Sequence, residues 1–184
     1  MNNILFINAC DREDSRTKRL ADAVLNKLSG SVNEVRLADE GLVPIPNDEI
    51  ELRHALIEAG DYSHPMFRYA KAFAEADLIV VAAPYWDLSF PSELKVFIER
   101  ITVRGLTFVF TPDGRAEGLC HAKKLIYVTT VGAEGLPHDF GFGYIKAVCQ
   151  AYYGIDNVEL VSAEGLDIFG NDAEEILKKA IEKL

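Results

Sequence analysis

Residues 78–101 read LIVVAAPYWDLSFPSELKVFIERI, and this stretch decides the fold class. Leu78–Ala83 is a continuous apolar run without alternation, as a strand covered on both faces requires. Pro84 stops it and an aromatic loop follows. Leu94, Phe97, Ile98 and Ile101 then recur at the spacing of a single helix face, with Pro91 placed for the first turn. The same pairing repeats on either side. The run Ile4–Asn8 precedes a helical pattern over Arg16–Leu28, which carries Leu20, Val24 and Leu28. Further runs lie at Val32–Leu37, Lys124–Thr130 and Val158–Ala163, and the last leads into a helix over Asn171–Leu184 with Asn171 or Asp172 as its N-cap. Strands alternating with helices give a parallel sheet with right-handed crossovers. The prediction is an α/β, doubly wound, five-stranded parallel sheet in the order 2-1-3-4-5, with helices on both faces.

Two connections exceed what a crossover needs. Asp39–Ala76 holds the prolines of LVPIP and helices near Asn47–Ala59 and Pro65–Ala76, while Gly105–Lys123 reads as a small hairpin and a loop. Insertions on a compact sheet shape a site or an interface. With 184 residues the chain forms one domain, spanning 1–184. The net charge of −10 repels phosphate backbones, so nucleic acid and anionic membranes are excluded as partners. The amino terminus lacks a basic leader and a cleavage site, and no run is long enough to span a membrane. Cys10, Cys120 and Cys149 are odd in number and widely spaced, which favours buried thiols in a reducing, cytoplasmic setting over a disulfide framework or a metal site.

In a sheet of this order, ligands lie outside the carboxyl ends of the strands, where crossovers leave to opposite sides. The loop after the first strand, Ala9–Thr17, has no glycine and therefore neither dinucleotide nor nucleotide-triphosphate fingerprint. It sets Ser15 and Thr17 at a helix start, where free N–H groups and the dipole favour an anion. Arg16, Lys18 and Arg19 in that turn suit a bound dianion; the alternative is that Asp14 or Ser15 only caps the helix. After the third strand, Pro84-Tyr85-Trp86-Asp87-Leu88 places the only tryptophan at the crevice mouth, as a wall for a planar ring or as packing under the next helix. After the fourth, Thr130-Val131-Gly132-Ala133 and Gly135 allow close backbone approach or a turn into a helix over Phe142–Tyr152.

Together these loops resemble the FMN-dependent NADH-azoreductase and quinone-reductase family, flavodoxin-like NAD(P)H-dependent FMN oxidoreductases. The resemblance runs along nearly the whole chain. It is strongest from Ala82 to Ala133, including the family's T-F-x-x-T-x-x-G hairpin at Thr107–Gly114. It implies non-covalent FMN, a homodimer, and alternate reduction by NADH or NADPH and oxidation by a quinone or azo acceptor. Ser15-Arg16-Thr17 then matches the phosphate turn, Tyr85-Trp86-Asp87-Leu88 the segment along the flavin, and Thr130-Val131-Gly132-Ala133 the loop at the ring's other side. An earlier family serine is replaced by Ala9 or Cys10, a family asparagine is Asp87, and Ser-Arg-Gly-Gly has become Thr-Val-Gly-Ala. The dimer interface is expected on the helix Ser92–Ile101 and on Gly105–Lys123, with Phe108 and Phe110.

The flavin carries the chemistry in such a reading, so no catalytic side chain is demanded. His138, near the fourth-strand loop, is either a proton donor to a quinone oxygen or a solvated histidine. Asp87 either faces the flavin edge or caps a helix beginning near Ser89. The rival functions are a flavodoxin-type electron carrier without nicotinamide chemistry and a cofactor-free structural protein.

Overall fold

The computed structural model describes residues 2–184. In chain order, β1 (Asn2–Asn8) leads to α1 (Arg16–Leu25), β2 (Gly30–Arg36), α2 (Asn47–Ala59), α3 (Arg68–Glu75), β3 (Leu78–Ala82) and α4 (Ser92–Ile101). The hairpin β4 (Phe108–Phe110) and β5 (Ala116–Gly118) precedes β6 (Lys124–Thr130), α5 (Tyr144–Val148), β7 (Asn157–Ala163) and α6 (Ala173–Glu182). The large sheet runs β2-β1-β3-β6-β7 with every pairing parallel. Setting the antiparallel hairpin aside, this is the expected order 2-1-3-4-5.

Alternate residues of each central strand feed opposite layers, which is why the runs show no polar alternation. Leu5, Ile7, Ile79, Val81, Leu125 and Tyr127 pack with Phe73 of α3 and Leu94 and Phe97 of α4. Ile4, Phe6, Val80, Ile126 and Val128 pack on the other face with Leu20 and Val24 of α1 and Leu177 of α6. Each such buried side chain contributes about 1.5–3 kcal/mol against exposure. Asp172 caps α6, its carboxylate accepting from Glu174 N at 2.9 Å and Glu175 N at 3.1 Å.

Several expectations shift. β2 is not covered on both faces: it is the sheet edge, residues 30–34 are exposed, and Val32 is 47% exposed. The first helix stops at Leu25 rather than Leu28, because Asn26–Leu28 closes into tighter backbone turns. The helix expected over Phe142–Tyr152 is longer, with wide π-helical turns Asp139–Gly143 and Cys149–Tyr153 flanking α5. Its first turn is tied to the β3 loop, where Ser89 Oγ donates to Phe140 O at 2.9 Å. Phe108 is buried within the chain, edge-on to Tyr152 and Phe110, whereas Phe110 is exposed. The hairpin sits directly on the end of the Cys149–Tyr153 turn. A Cβ at Gly118 would stand 2.1 Å from Gly154 N and Tyr153 C, so only glycine lets the two backbones meet.

Candidate functional site

The sheet's switch point lies between β1 and β3, whose crossovers carry α1 and α4 to opposite faces. A crevice of about 320 Å³ opens there, bounded by the loops after β1, β3, β6 and β7. Its size falls at the lower end for ligand pockets.

The wall at α1 begins with Ser15, in extended conformation (φ −61°, ψ 120°), whose Oγ accepts from Lys18 N at 3.3 Å. Ser15 is therefore the N-cap, and α1 has no acidic residue in its first turn. Thr17 is buried, and its Oγ1 lies 2.6 Å from Thr130 Oγ1 at the end of β6. Arg16 reaches along the crevice and donates from Nη1 to Asp167 Oδ1 at 2.8 Å. Cys10 rather than Ala9 faces the crevice. Its amide donates to Asn8 Oδ1 at 3.0 Å, and burial raises its thiol above the usual range, keeping it neutral.

Beyond β3 the pairing with β6 continues: Ala83 N donates to Val128 O at 3.0 Å and Tyr85 N to Thr130 O at 3.2 Å. That extension carries Pro84, Tyr85 and Trp86 onto the crevice wall. Trp86 and Ser89 then exchange both backbone bonds, Trp86 N to Ser89 O at 3.2 Å and Ser89 N to Trp86 O at 2.7 Å. Between them Asp87 (φ 49°) and Leu88 (φ 68°) adopt left-handed conformations, which makes this a tight type I′ turn. Each costs about 1–2 kcal/mol for a residue with a Cβ, and strain of this kind collects at ligand clamps. Asp87 and Leu88 form the exposed tip, outside the crevice wall. α4 starts only at Ser92, after Pro91, so Asp87 does not cap it.

Tyr85 is braced from behind. Its hydroxyl donates to Pro137 O at 2.8 Å, and its ring stands edge-on to His138 with centroids 6.0 Å apart. Desolvation, then the nearby Glu164 and Asp139 carboxylates, raises the phenol, so it stays a neutral donor. His138 is half-buried and paired: Nε2 lies 2.9 Å from Glu164 Oε1 and the side chain is 23% exposed. It sits one side chain behind the crevice wall.

The wall after β6 is stitched to the loop after β7. Leu166 N donates to Val131 O at 3.2 Å, Asp167 N to Gly132 O at 2.9 Å and Gly165 N to Ala133 O at 2.9 Å. Thr130, Val131 and Gly132 line the crevice, and Ala133 lies beyond it. Gly132 has no positive φ, and a Cβ there would stand 2.5 Å from Asp167 Oδ2, an exposed carboxylate end that would have to shift. Reading the sequence singled out neither Asp11 and Arg12 nor Leu166 and Asp167, which also line the crevice. The last two follow the fifth strand of the sheet, and their only signal was that every parallel strand ends on this side.

The family described by its flavodoxin-like fold matches residues 2–184. The FMN-dependent NADH:quinone oxidoreductase 2 of Clostridium acetobutylicum is 34% identical over 195 aligned positions, covering 100% of this chain and 96% of that protein. The FMN-dependent NADH:quinone oxidoreductase of Coprothermobacter proteolyticus is 32% identical with the same coverage. Among solved structures, the azoreductase of Bacillus anthracis superposes with a TM-score of 0.84 at 27% identity, covering 100% of this chain and 96% of its own.

Proposed function

Because the chain belongs to the family that shares the flavodoxin-like fold, we propose that it is an FMN-dependent NADH:quinone oxidoreductase that also accepts azo compounds. The observation that carries this reading is the crevice at the β1–β3 switch point. It joins a cationic helix start bearing Ser15 and Thr17 to a wall of Tyr85 and Trp86. The donor set fits FMN: hydroxyls and N–H groups at α1 suit a phosphate dianion, and the aromatic wall with Gly132 opposite suits a planar ring. When bound, FMN would supply two-electron hydride chemistry between a nicotinamide and a quinone or azo acceptor.

This chain's residues would then bind and orient. Ser15, Arg16 and Thr17 hold the phosphate end, Pro84, Tyr85 and Trp86 the ring with Asp87 and Leu88 at the exposed tip beside it, and Val131 and Gly132 the opposite side with Ala133 just beyond, while Thr130 stands next to Thr17. His138, paired with Glu164, braces Tyr85 rather than reaching the acceptor itself. The exposed Phe110 on the hairpin supports a homodimer through α4 and the hairpin. Three free, buried cysteines suit a reducing compartment, hence the cytoplasm, and the chain is proposed to act as one domain. No helix among the described residues is long and apolar enough to cross a membrane.

The test is a titration of the purified protein with FMN and FAD by flavin fluorescence, followed by stopped-flow reduction with NADH and NADPH. Tight FMN binding, weaker FAD binding and rapid reduction by NADH are expected, with parallel double-reciprocal lines against a quinone. A flavin that nicotinamide cannot reduce would make the protein an electron carrier instead. Light scattering that finds a monomer would remove the dimer.

A further inference from the structure

Two threonines on the crevice wall carry more than their separate positions imply. Thr17 lies in the first turn of α1 and Thr130 ends β6, 113 residues apart in sequence, yet their hydroxyl oxygens are 2.6 Å apart. At that distance one hydroxyl donates to the other. Neither hydroxyl has another hydrogen-bond partner among the described residues. Two hydroxyls bring two protons and the contact consumes one, so one O–H is left without a protein acceptor at the crevice wall, where Thr17 is 1% exposed and Thr130 half-buried. A buried donor in that state needs an acceptor from outside the chain.

The direction of the pair follows from its surroundings. Thr17 sits at the helix start, beside free backbone N–H groups and the positive end of the α1 dipole, where an anion is favoured. Thr130 ends a strand, lines the same crevice as Thr17, and its carbonyl already accepts from Tyr85 N at 3.2 Å. We infer that Thr130 donates to Thr17 so that the Thr17 hydroxyl is turned and polarised toward a phosphate at the α1 start. Thr130 is thus a positioning residue for the phosphate and not a contact of the flavin ring. A hydroxyl that accepts one bond donates a stronger one, because the two bonds polarise each other. Arg16 already pairs with Asp167 at 2.8 Å, which raises the share of the phosphate's binding that the Thr17 hydroxyl carries.

This inference rests on the FMN reading for its ligand, and the experiment keeps the two separable. Wild type, Thr130→Val, Thr130→Ser, Thr17→Val and the Thr17→Val/Thr130→Val pair are titrated with FMN and with riboflavin, which lacks the phosphate. Each is also melted with and without inorganic phosphate. Thr130→Val should weaken FMN about fivefold, the effect of one modest hydrogen bond, and leave riboflavin unchanged. Thr130→Ser should restore wild-type FMN affinity, and Thr130→Val should add nothing in the Thr17→Val background. The gain in melting temperature from inorganic phosphate, read against each variant's own ligand-free melting temperature, should shrink in Thr130→Val. Equal losses for both flavins would put Thr130 on the ring and overturn the inference, as would no loss at all or additive losses in the double variant. A wild type that is stabilised by phosphate through this pair but binds no flavin would overturn the FMN reading and keep the threonine relay. Stabilisation by neither ligand would sink both.

Discussion

Replacing Ser15 by alanine separates helix capping from anion binding within a single side chain. As a cap, Ser15 Oγ accepts from Lys18 N at a long 3.3 Å, and α1 is also held by Leu20, Ala21 and Val24 in the core. Its loss should therefore cost about 0.5–1 kcal/mol, the low end for a cap. For a chain of 184 residues that lowers the ligand-free melting temperature by about 1–4 °C. As a phosphate ligand, the same hydroxyl makes a charge-assisted bond worth about 2 kcal/mol, or about a 30-fold loss of FMN affinity. At an FMN concentration 100 times the wild-type Kd, ligand binding stabilises the wild type by about 2.7 kcal/mol. The variant, at the same concentration, would retain about 0.9 kcal/mol. Differential scanning fluorimetry with and without FMN reads both numbers, because the FMN-induced shift should fall to about a third of its wild-type size. A lower ligand-free melting temperature with an undiminished FMN-induced shift would show that Ser15 is only a cap, and the placement of the phosphate at α1 would be wrong.

Gly118→Ala places a Cβ 2.1 Å from backbone atoms of Tyr153 and Gly154, which cannot yield as a side chain would. A loss of about 1–3 kcal/mol is expected in urea melts, and a neutral result would mean that the hairpin is not seated on that turn. Asp87→Asn should raise the midpoint potential of bound flavin by about 30 mV, or about 1.4 kcal/mol, because electron gain beside a carboxylate is disfavoured. The melting temperature should hold, since Asp87 caps no helix and asparagine tolerates its left-handed φ of 49°. An unchanged potential would turn that side chain away from the ring. Burial pushes the Cys120 and Cys149 thiols up from 9.0 to about 12. Above pH 9 the unfolded chain releases these protons while the folded chain keeps them, so stability falls as pH rises from 9 toward 12, by about 1.4 kcal/mol per pH unit per thiol. The midpoints of denaturant melts should fall across that range, and less so in Cys149→Ala, and thiols that react with Ellman's reagent in the native state would contradict the burial.

The alternation of strand and helix was legible in the sequence because it depends on local patterns, and the known order of doubly wound five-stranded sheets then placed the crevice. Runs such as Ile4–Asn8 and Leu78–Ala83 are apolar on both faces only if helices cover both, and parallel strands then end on one side. Pro84 to Trp86 could be placed at the mouth from chain order alone, since they follow the strand at the switch point. Edge exposure was not legible, because Val32 reads like any strand residue until the pairing shows that nothing lies beyond β2. The same holds for contacts between distant segments. Gly132 and Asp167, Thr17 and Thr130, His138 and Glu164 are ordinary residues on loops or element ends, and no periodicity links them. The left-handed turn at Asp87 and Leu88 went unseen for a related reason: neither residue is glycine, and two cross-turn hydrogen bonds between Trp86 and Ser89 impose the conformation. What the sequence by itself determined was the alternation of strand and helix, hence the sheet and the end at which ligands enter. Which side chains meet across that end was decided only by the tertiary structure, because hydrogen bonds and close approaches there join loops that local propensity places independently.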